Sequence, residues 1–149
     1  MGPPLISFGV SPAITVRGRV MAEHKPHPSN VPGDFYVEDG CCTMCLVPFS
    51  EAPELFGEHQ DARGSHCFVK QQPETPAEMT KMLNAIRCAE LMCIRYRGKD
   101  RGIQLDLIEF KEGLVCDNLP LDLQKQVDQD PAQYRLVPAP QKPWWKFWG

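Results

Sequence analysis

The segment DFYVEDGCCTMCLVPFSEAPELF, residues 34–56, carries the densest cluster of chemically active side chains in the chain. Residues 34–39 are rich in β-formers and predict a short strand. Three cysteines, Cys41, Cys42 and Cys45, follow within five residues. Residues 50–56 predict a short helical turn with Ser50 as its N-cap. Clustered thiols without a role are open to oxidation, so this loop indicates a metal or cluster site.

The clearest element outside this segment is a helix at residues 75–91. Thr75 is placed as its N-cap, Pro76 as its first residue, and Glu78 completes a capping box. Apolar residues recur at helical spacing and predict a core-facing stripe at Met79, Met82, Leu83 and Ile86. The other predicted elements are a polar loop at 57–65, a strand at 66–72, strands at 93–98 and 103–110 that pair as a hairpin, and a short helix at 119–129.

Composition limits the class of protein. The net charge is −3, and the mildly acidic residues 34–98 have the wrong sign for binding nucleic acid. The first residues lack a basic stretch followed by a long apolar run, and no apolar stretch approaches about 20 residues. A cytoplasmic location is therefore expected, where thiols serve metals or stay reduced more often than they form disulfides.

The prolines suggest the domain organisation. Eleven of the 15 fall in residues 1–32 and 120–149, where they oppose helix interiors and central strands. We therefore expect a disordered N-terminal tail at 1–32 and a folded domain at 33–113. Residues 114–149 are predicted to be an extension that ends in a proline-rich and aromatic tail.

The sequence from residue 33 to residue 98 resembles the single-cluster ferredoxins of the bacterial type. The resemblance rests on GDFYVEDGCCTMCLVPFSEAPELF and on CFVKQQPETPAEMTKMLNAIRCAELMCIRY. It implies an α+β, ferredoxin-like small domain with short strands and one long helix. It also implies an iron–sulfur cluster and one-electron transfer to a redox partner protein. No enzyme is expected, because the sequence carries no catalytic motif.

The ligand pattern departs from that family. Aligned on the APELF turn, the family's first two loop cysteines fall on Cys42 and Cys45, and the third falls on Pro48. The distant ligand falls on Ala89, one residue after Cys88. The resemblance therefore implies Cys42, Cys45 and Cys88 as metal ligands, with a substitute needed among Cys41, Cys67 and Cys93. A [4Fe–4S] cluster takes four thiolates, whereas a [3Fe–4S] cluster needs three.

Zinc is the alternative occupant of the cysteine site. It takes four Cys or His ligands, which Cys42, Cys45 and Cys67 with Cys88 or Cys93 would supply without a cysteine at residue 48. The chain would then be a degenerate ferredoxin fold, with zinc or no metal, that acts as a protein-interaction module. Taken singly, Cys67 and Cys93 lie on apolar strands, so core packing is the favoured interpretation for each of them.

The histidines and a search for enzyme motifs add no further strong candidate site. His59 and His66 are possible but solitary ligands, and a histidine on a polar loop is more often solvated. No phosphate-binding loop, dinucleotide-binding glycine motif or zinc-protease motif is present. If the protein is a carrier, a basic partner would be steered by acidic residues at Glu51, Glu54, Glu58 and Asp61.

The end of the chain predicts a docking segment. Aromatic residues follow a proline stalk, and two lysines flank them in the sequence KPWWKFWG. Rings of this size bury a large area on contact, so their exposure favours a partner. The combination suits a groove on another protein or a membrane surface. The alternative is that the tail folds back onto the chain's own sheet.

Overall fold

The computed structural model describes residues 24–133 and the backbone of β1 (Thr15–Val16) and β2 (Arg19–Val20), which pair antiparallel. The elements that follow are β3 (Phe35–Val37), α1 (Val47–Glu51), β4 (Phe56–Asp61), β5 (Gly64–Val69), α2 (Pro76–Cys88), β6 (Ile94–Tyr96), α3 (Arg101–Glu109) and α4 (Leu121–Gln129). Short 3₁₀ turns cover Gly113–Val115 and Pro131–Gln133. The described part of the chain is a small α+β fold, as predicted.

Two small antiparallel sheets frame the core. The strands β3 and β6 pair with Phe35 opposite Tyr96, and their rings lie 4.8 Å apart between centroids. The strands β4 and β5 form a hairpin with Phe56 opposite Val69. Helix α2 packs its apolar stripe against α1 and β6. Fully or nearly fully buried members of the core are Val37, Leu55, Phe56, Val69, Met82, Ile86, Ile94 and Leu107.

Helix α2 begins as the sequence predicts. The Thr75 hydroxyl accepts from the Glu78 N–H at 3.1 Å, and the Glu78 carboxylate accepts from the Thr75 N–H at 3.2 Å. This reciprocal pair satisfies two backbone N–H groups that the first turn leaves without partners. Met82, Leu83 and Ile86 are buried, so the stripe is confirmed as core. The helix ends at Cys88, three residues before the predicted end at residue 91.

The region after the cysteines differs from the prediction. The helical turn expected at residues 50–56 lies earlier, in α1 (Val47–Glu51), and Leu46 rather than Ser50 precedes its first residue. The expected loop at 57–65 is instead strand β4 and the start of β5. The Asp61 carboxylate accepts from the Arg63 N–H at 2.8 Å, an Asx turn that closes the hairpin. This turn chemistry, rather than strand propensity, determines the local structure.

Residues 103–110 form a helix rather than the predicted strand. Asp100 caps α3 by accepting from the Ile103 N–H at 3.1 Å. The residues buried on α3 are Gln104, Leu107 and Ile108, at the i, i+3, i+4 spacing of a helix. The prediction of a strand was wrong because Ile103 and Leu107, two positions of the alternating pattern, are also four residues apart and so share a helix face. The predicted hairpin between residues 93–98 and 103–110 does not form.

The folded part begins before residue 33. The His27 N–H donates to the Val37 carbonyl at 2.9 Å, and the Val31 N–H donates to the Val69 carbonyl at 2.9 Å. The Asn30 side chain accepts from the backbone N–H groups of Val37, at 3.1 Å, and Val69, at 2.9 Å. Asn30 therefore joins β3 to β5. Residues 24–32 belong to the core structure rather than to a disordered tail.

The segment after residue 113 also packs against the domain. Asp117 accepts from the buried Arg95 guanidinium at 2.8 Å and from the Tyr36 hydroxyl. The Gln133 side chain is buried, donates to the Ile108 carbonyl at 2.8 Å and accepts from the Gly113 N–H at 2.8 Å. Residues 114–133 are therefore continuous with the domain that was predicted to end at residue 113.

Within residues 24–133, no helix has the length and apolar character needed to cross a bilayer. The tail at residues 138–149, which the sequence predicts to dock, lies outside the described residues.

Candidate metal centre

The cysteine loop joins β3 to α1 along an unusual backbone path. Gly40, Met44 and Leu46 all have positive φ, at 78°, 56° and 65°. Only glycine adopts this region without steric cost, so two non-glycine residues there mark a constrained loop. Cys42 and Cys45 lie in this constrained segment and are both partly buried.

The Cys42 sulfur receives three hydrogen-bond donors. The Met44 N–H lies 3.4 Å from it and the Cys67 N–H lies 3.2 Å from it. The Cys67 sulfur is 3.0 Å away. The hydrogen bond from the Cys67 thiol, together with these backbone donors, lowers the pKa of the Cys42 thiol to about 5. These donors therefore favour the thiolate form of Cys42.

Cys67 and Cys45 complete a set of three cysteines in the same region. Cys67 lies on β5, where the hydrogen bond to Cys42 and burial both raise its pKa. Cys45 is close enough for its charge to raise the Cys67 pKa further. We call Cys42, Cys45 and Cys67 the three-thiol set. Two segments of chain supply it, the loop after β3 and strand β5.

The structure pairs two other candidate ligands in a disulfide. Cys41 and Cys93 are bonded, with their Cα atoms 5.5 Å apart, and the bond ties the cysteine loop to the segment before β6. The sequence analysis expected these two thiols to stay reduced or to bind metal, whereas the structure joins them in a disulfide. In this state neither sulfur is a thiolate, so neither is available to a metal.

The last two cysteines lie apart from the three-thiol set. Cys88 is the exposed final residue of α2, and among the described residues its sulfur has no hydrogen-bonding contact with another cysteine. Cys116 is buried, and this burial raises its pKa to about 12. Cys88, which the resemblance implies as a ligand, is therefore not brought to Cys42 and Cys45, whereas Cys67 is.

The donor set can be compared with the needs of each cofactor. Pro48 and Ala89, the positions of the two absent family ligands, are both buried and carry no donor. A [4Fe–4S] cluster held by four thiolates does not fit, because the three-thiol set lacks a fourth free thiol. The Cys42 and Cys67 sulfurs meet at 3.0 Å, but among the described residues no three cysteine sulfurs lie within 4.8 Å of one another, so a single ion on three thiolates would need Cys45 to move closer. The two backbone N–H groups on Cys42 are the kind of second partner that tunes a metal centre.

A second group of candidate ligands escaped the sequence analysis. Atoms of His27, His59 and Asp61 lie within 4.8 Å of one another. His27 was placed in a disordered tail and His59 on a polar loop, so nothing in their spacing brought them together. Burial, helped by His59 and His66 and opposed by Asp39, lowers the pKa of His27.

The low pKa of Cys42 predicts a distinctive reactivity. In the metal-free protein, alkylation of Cys42 by iodoacetamide should show a midpoint near pH 5, because the thiolate is the nucleophile. Pulse labelling between about pH 4 and pH 9, read by mass spectrometry, measures this midpoint. Replacing Cys67 with alanine removes the thiol donor and should raise it. A midpoint near about 8.5 in the unmodified chain would contradict the hydrogen-bonding account.

Comparison with known proteins finds no match for this chain among family models, curated proteins or solved structures.

Proposed function

We propose that this protein carries single electrons on an iron–sulfur centre bound by Cys42, Cys45 and Cys67. The observation that carries the proposal is the environment of the Cys42 sulfur. The two backbone N–H groups that donate to this sulfur favour its thiolate form, which is the form that binds metal. When bound, the centre would supply a site that gains or loses one electron without rearrangement of the chain.

The order of elements also supports the proposal. Strand β3 leads into the cysteine loop and α1, and α2 then leads to β6, which pairs antiparallel with β3. This is the order that the resemblance to single-cluster ferredoxins implies. The difference lies in the ligands, because Cys67 from the hairpin takes the place that the family gives to a residue after the helix.

The chain's own residues would set the properties of the centre. The N–H groups of Met44 and Cys67 stabilise negative charge on Cys42 and so favour the more reduced state of a bound centre. Leu46 follows Cys45 directly and is 60% exposed, which gives a partner an apolar contact beside the centre. This position suits a redox partner protein that docks over the cysteine loop.

The acidic residues expected to steer a partner are partly neutralised. The Glu54 carboxylate lies 2.5 Å from the Lys81 amine, and the Asp61 carboxylate lies 3.1 Å from the Arg63 guanidinium. Glu51 and Glu58 are the remaining two of the four. Steering by this group would therefore be weaker than the count of acids suggests.

Anaerobic reconstitution of the full chain with ferrous iron and sulfide tests the proposal. We expect broad visible absorption that a one-electron reductant bleaches, with an electron paramagnetic resonance signal in one oxidation state. Cys67→Ser should lose both signals, while Cys88→Ser should keep them. A native chain that binds no iron under these conditions would exclude the carrier function.

Zinc is the second candidate, and one observation favours it. Two thiolates on one tetrahedral zinc lie about 3.8 Å apart, given Zn–S bonds of about 2.3 Å. The Cys42 and Cys67 sulfurs, 3.0 Å apart, are closer to that spacing than to ligands on separate metal atoms. The protein would then be an interaction module, with residues 138–149 as a docking segment for a protein or a membrane surface. A colourless preparation with stoichiometric zinc would support this candidate and contradict electron transfer.

A further inference from the structure

We propose that His27, His59 and Asp61 form a second metal site, which binds a divalent transition ion such as Zn²⁺ and is separate from the three-thiol set. One ligand atom from each residue lies within 4.8 Å of the others. With small adjustments of the side chains, three atoms this close together can all bind one ion.

Two elements bring the three residues together. His59 and Asp61 are two apart on β4, so their side chains leave the same face of the hairpin. His27 comes from the segment before β3 and packs over that face, with its ring centroid 5.4 Å from that of His59. The bond from the His27 N–H to the Val37 carbonyl fixes the backbone of this segment. The site therefore forms only in the folded chain.

His66 supplies the second, independent observation. It lies opposite His59 in the hairpin register, and its Nε2 atom is 3.1 Å from the Asp61 carboxylate. Its side chain is 9% exposed, and its Nδ1 atom has no hydrogen-bond partner among the described residues. A histidine bonded to a candidate ligand carboxylate, within a cluster of three imidazoles, is the outer support that metal sites use. A buried ring nitrogen that makes no hydrogen bond is also costly unless another group at the site interacts with it.

The donor types determine the class of ion. Two imidazole nitrogens and one carboxylate oxygen suit Zn²⁺ and its transition-metal neighbours, and are poor donors for Ca²⁺ or Mg²⁺. Three protein ligands also leave a fourth position for water, as in open zinc sites. The cysteine sulfurs prefer softer ions and clusters, so the two sites differ in chemistry as well as in position.

Existing interactions already occupy the candidate ligands. The Asp61 carboxylate accepts from the Arg63 N–H at 2.8 Å and lies 3.1 Å from His66 Nε2, and two further contacts compete with the ion. The His27 Nδ1 atom accepts from the Ser29 N–H at 3.1 Å, and the Arg63 guanidinium lies 3.1 Å from the Asp61 carboxylate. The first is a single neutral hydrogen bond, which a metal–nitrogen bond can replace. The second places a positive charge beside the ion, while Arg63 retains Asp39 as a partner at 3.0 Å when Asp61 turns to the metal. Arg63 should therefore weaken the site without closing it.

Zinc titration of the full chain, followed by ¹⁵N resonances of the histidine rings, tests the proposal. The chemical shifts of the His27 and His59 ring nitrogens should stop changing once one equivalent of zinc has bound at this site. Any zinc that the cysteines bind is counted separately. His59→Ala should weaken this event by at least about tenfold. His24→Ala, whose ring bonds to Glu38 outside the site, should leave it unchanged. Unmoved histidine resonances in the native chain, or an unchanged affinity in His59→Ala, would overturn the proposal.

The competing charge gives a second test that does not depend on loss of a ligand. Arg63→Gln should tighten zinc binding at the histidine site, because it removes the cation beside Asp61. Arg101→Gln, a matched change at an exposed pair with Asp122, should have no effect. Equal affinities for Arg63→Gln and the native chain would contradict the assignment of Asp61 as a ligand. Both readouts are specific to the histidine site, so they hold whatever the cysteines bind.

Discussion

Replacing Cys93 with alanine is expected to lower the free energy of unfolding by about 4 kcal/mol in non-reducing buffer. The Cys41–Cys93 disulfide closes a loop with a sequence separation of 52. Cross-linking a loop of that length removes much of the conformational freedom of the unfolded chain, and the estimate follows from that entropy. The bond also holds the cysteine loop against the segment before β6, so its loss should loosen the three-thiol set.

Chemical denaturation with and without a reducing agent measures this effect. Reduction should destabilise the native chain by a similar amount and leave Cys93→Ala almost unchanged. Cys88→Ala, at an exposed position on the last turn of α2, is the matched control and should behave like the native chain. Equal stability of the native chain and Cys93→Ala without reductant would show that the disulfide does not form.

The second large effect is expected for Asp117→Ala, which should lower the free energy of unfolding by about 3 kcal/mol. Arg95 is 6% exposed, and its guanidinium lies 2.8 Å from the Asp117 carboxylate. Removing the carboxylate leaves that buried charge without its counter-ion and the Tyr36 hydroxyl without its acceptor. The change would also loosen the segment after residue 113, because the Asp117 side chain bonds to both β3 and β6, although the Asp117 N–H still donates to the Tyr96 carbonyl at 2.9 Å.

The control for this prediction is Asp122→Ala. Its partner Arg101 is 56% exposed, and such a surface pair contributes about 0–1 kcal/mol. Thermal or urea unfolding of both variants gives the comparison. If the two variants are equally stable, the buried pair does not anchor residues 114–133, and the C-terminal boundary predicted from the sequence at residue 113 becomes the better description.

Local signals explain what could be predicted of the fold. Helix α2 follows from its cap, its proline and its apolar stripe, and strands β3 and β6 from short runs of β-formers. The hairpin at residues 56–69 could not be predicted in the same way, because its first strand alternates weakly and is mostly polar. Helix α3 was missed because two of the alternating apolar positions, Ile103 and Leu107, are also one helical turn apart, whereas Leu105 between them is exposed on the helix.

The site was predictable only in part, because its residues meet through tertiary structure. Spacing alone places Cys42 and Cys45 in one site. Cys67 joins them because β5 packs beside the loop, and the Cys41–Cys93 bond spans residues that no local pattern connects. The His27, His59 and Asp61 group depends on residues 24–32 being folded, which their prolines argued against.

The metal content of cysteine variants tests the three-thiol set most directly. Each variant of the full chain would be purified anaerobically, and its iron and zinc counted against protein, with the histidine site removed by His59→Ala in every sample. We expect Cys42→Ser, Cys45→Ser and Cys67→Ser each to lose the bound metal, and Cys88→Ser and Cys116→Ser to retain it. Retention of metal in Cys67→Ser with loss in Cys88→Ser would contradict the account and favour the ligand set that the family resemblance implies.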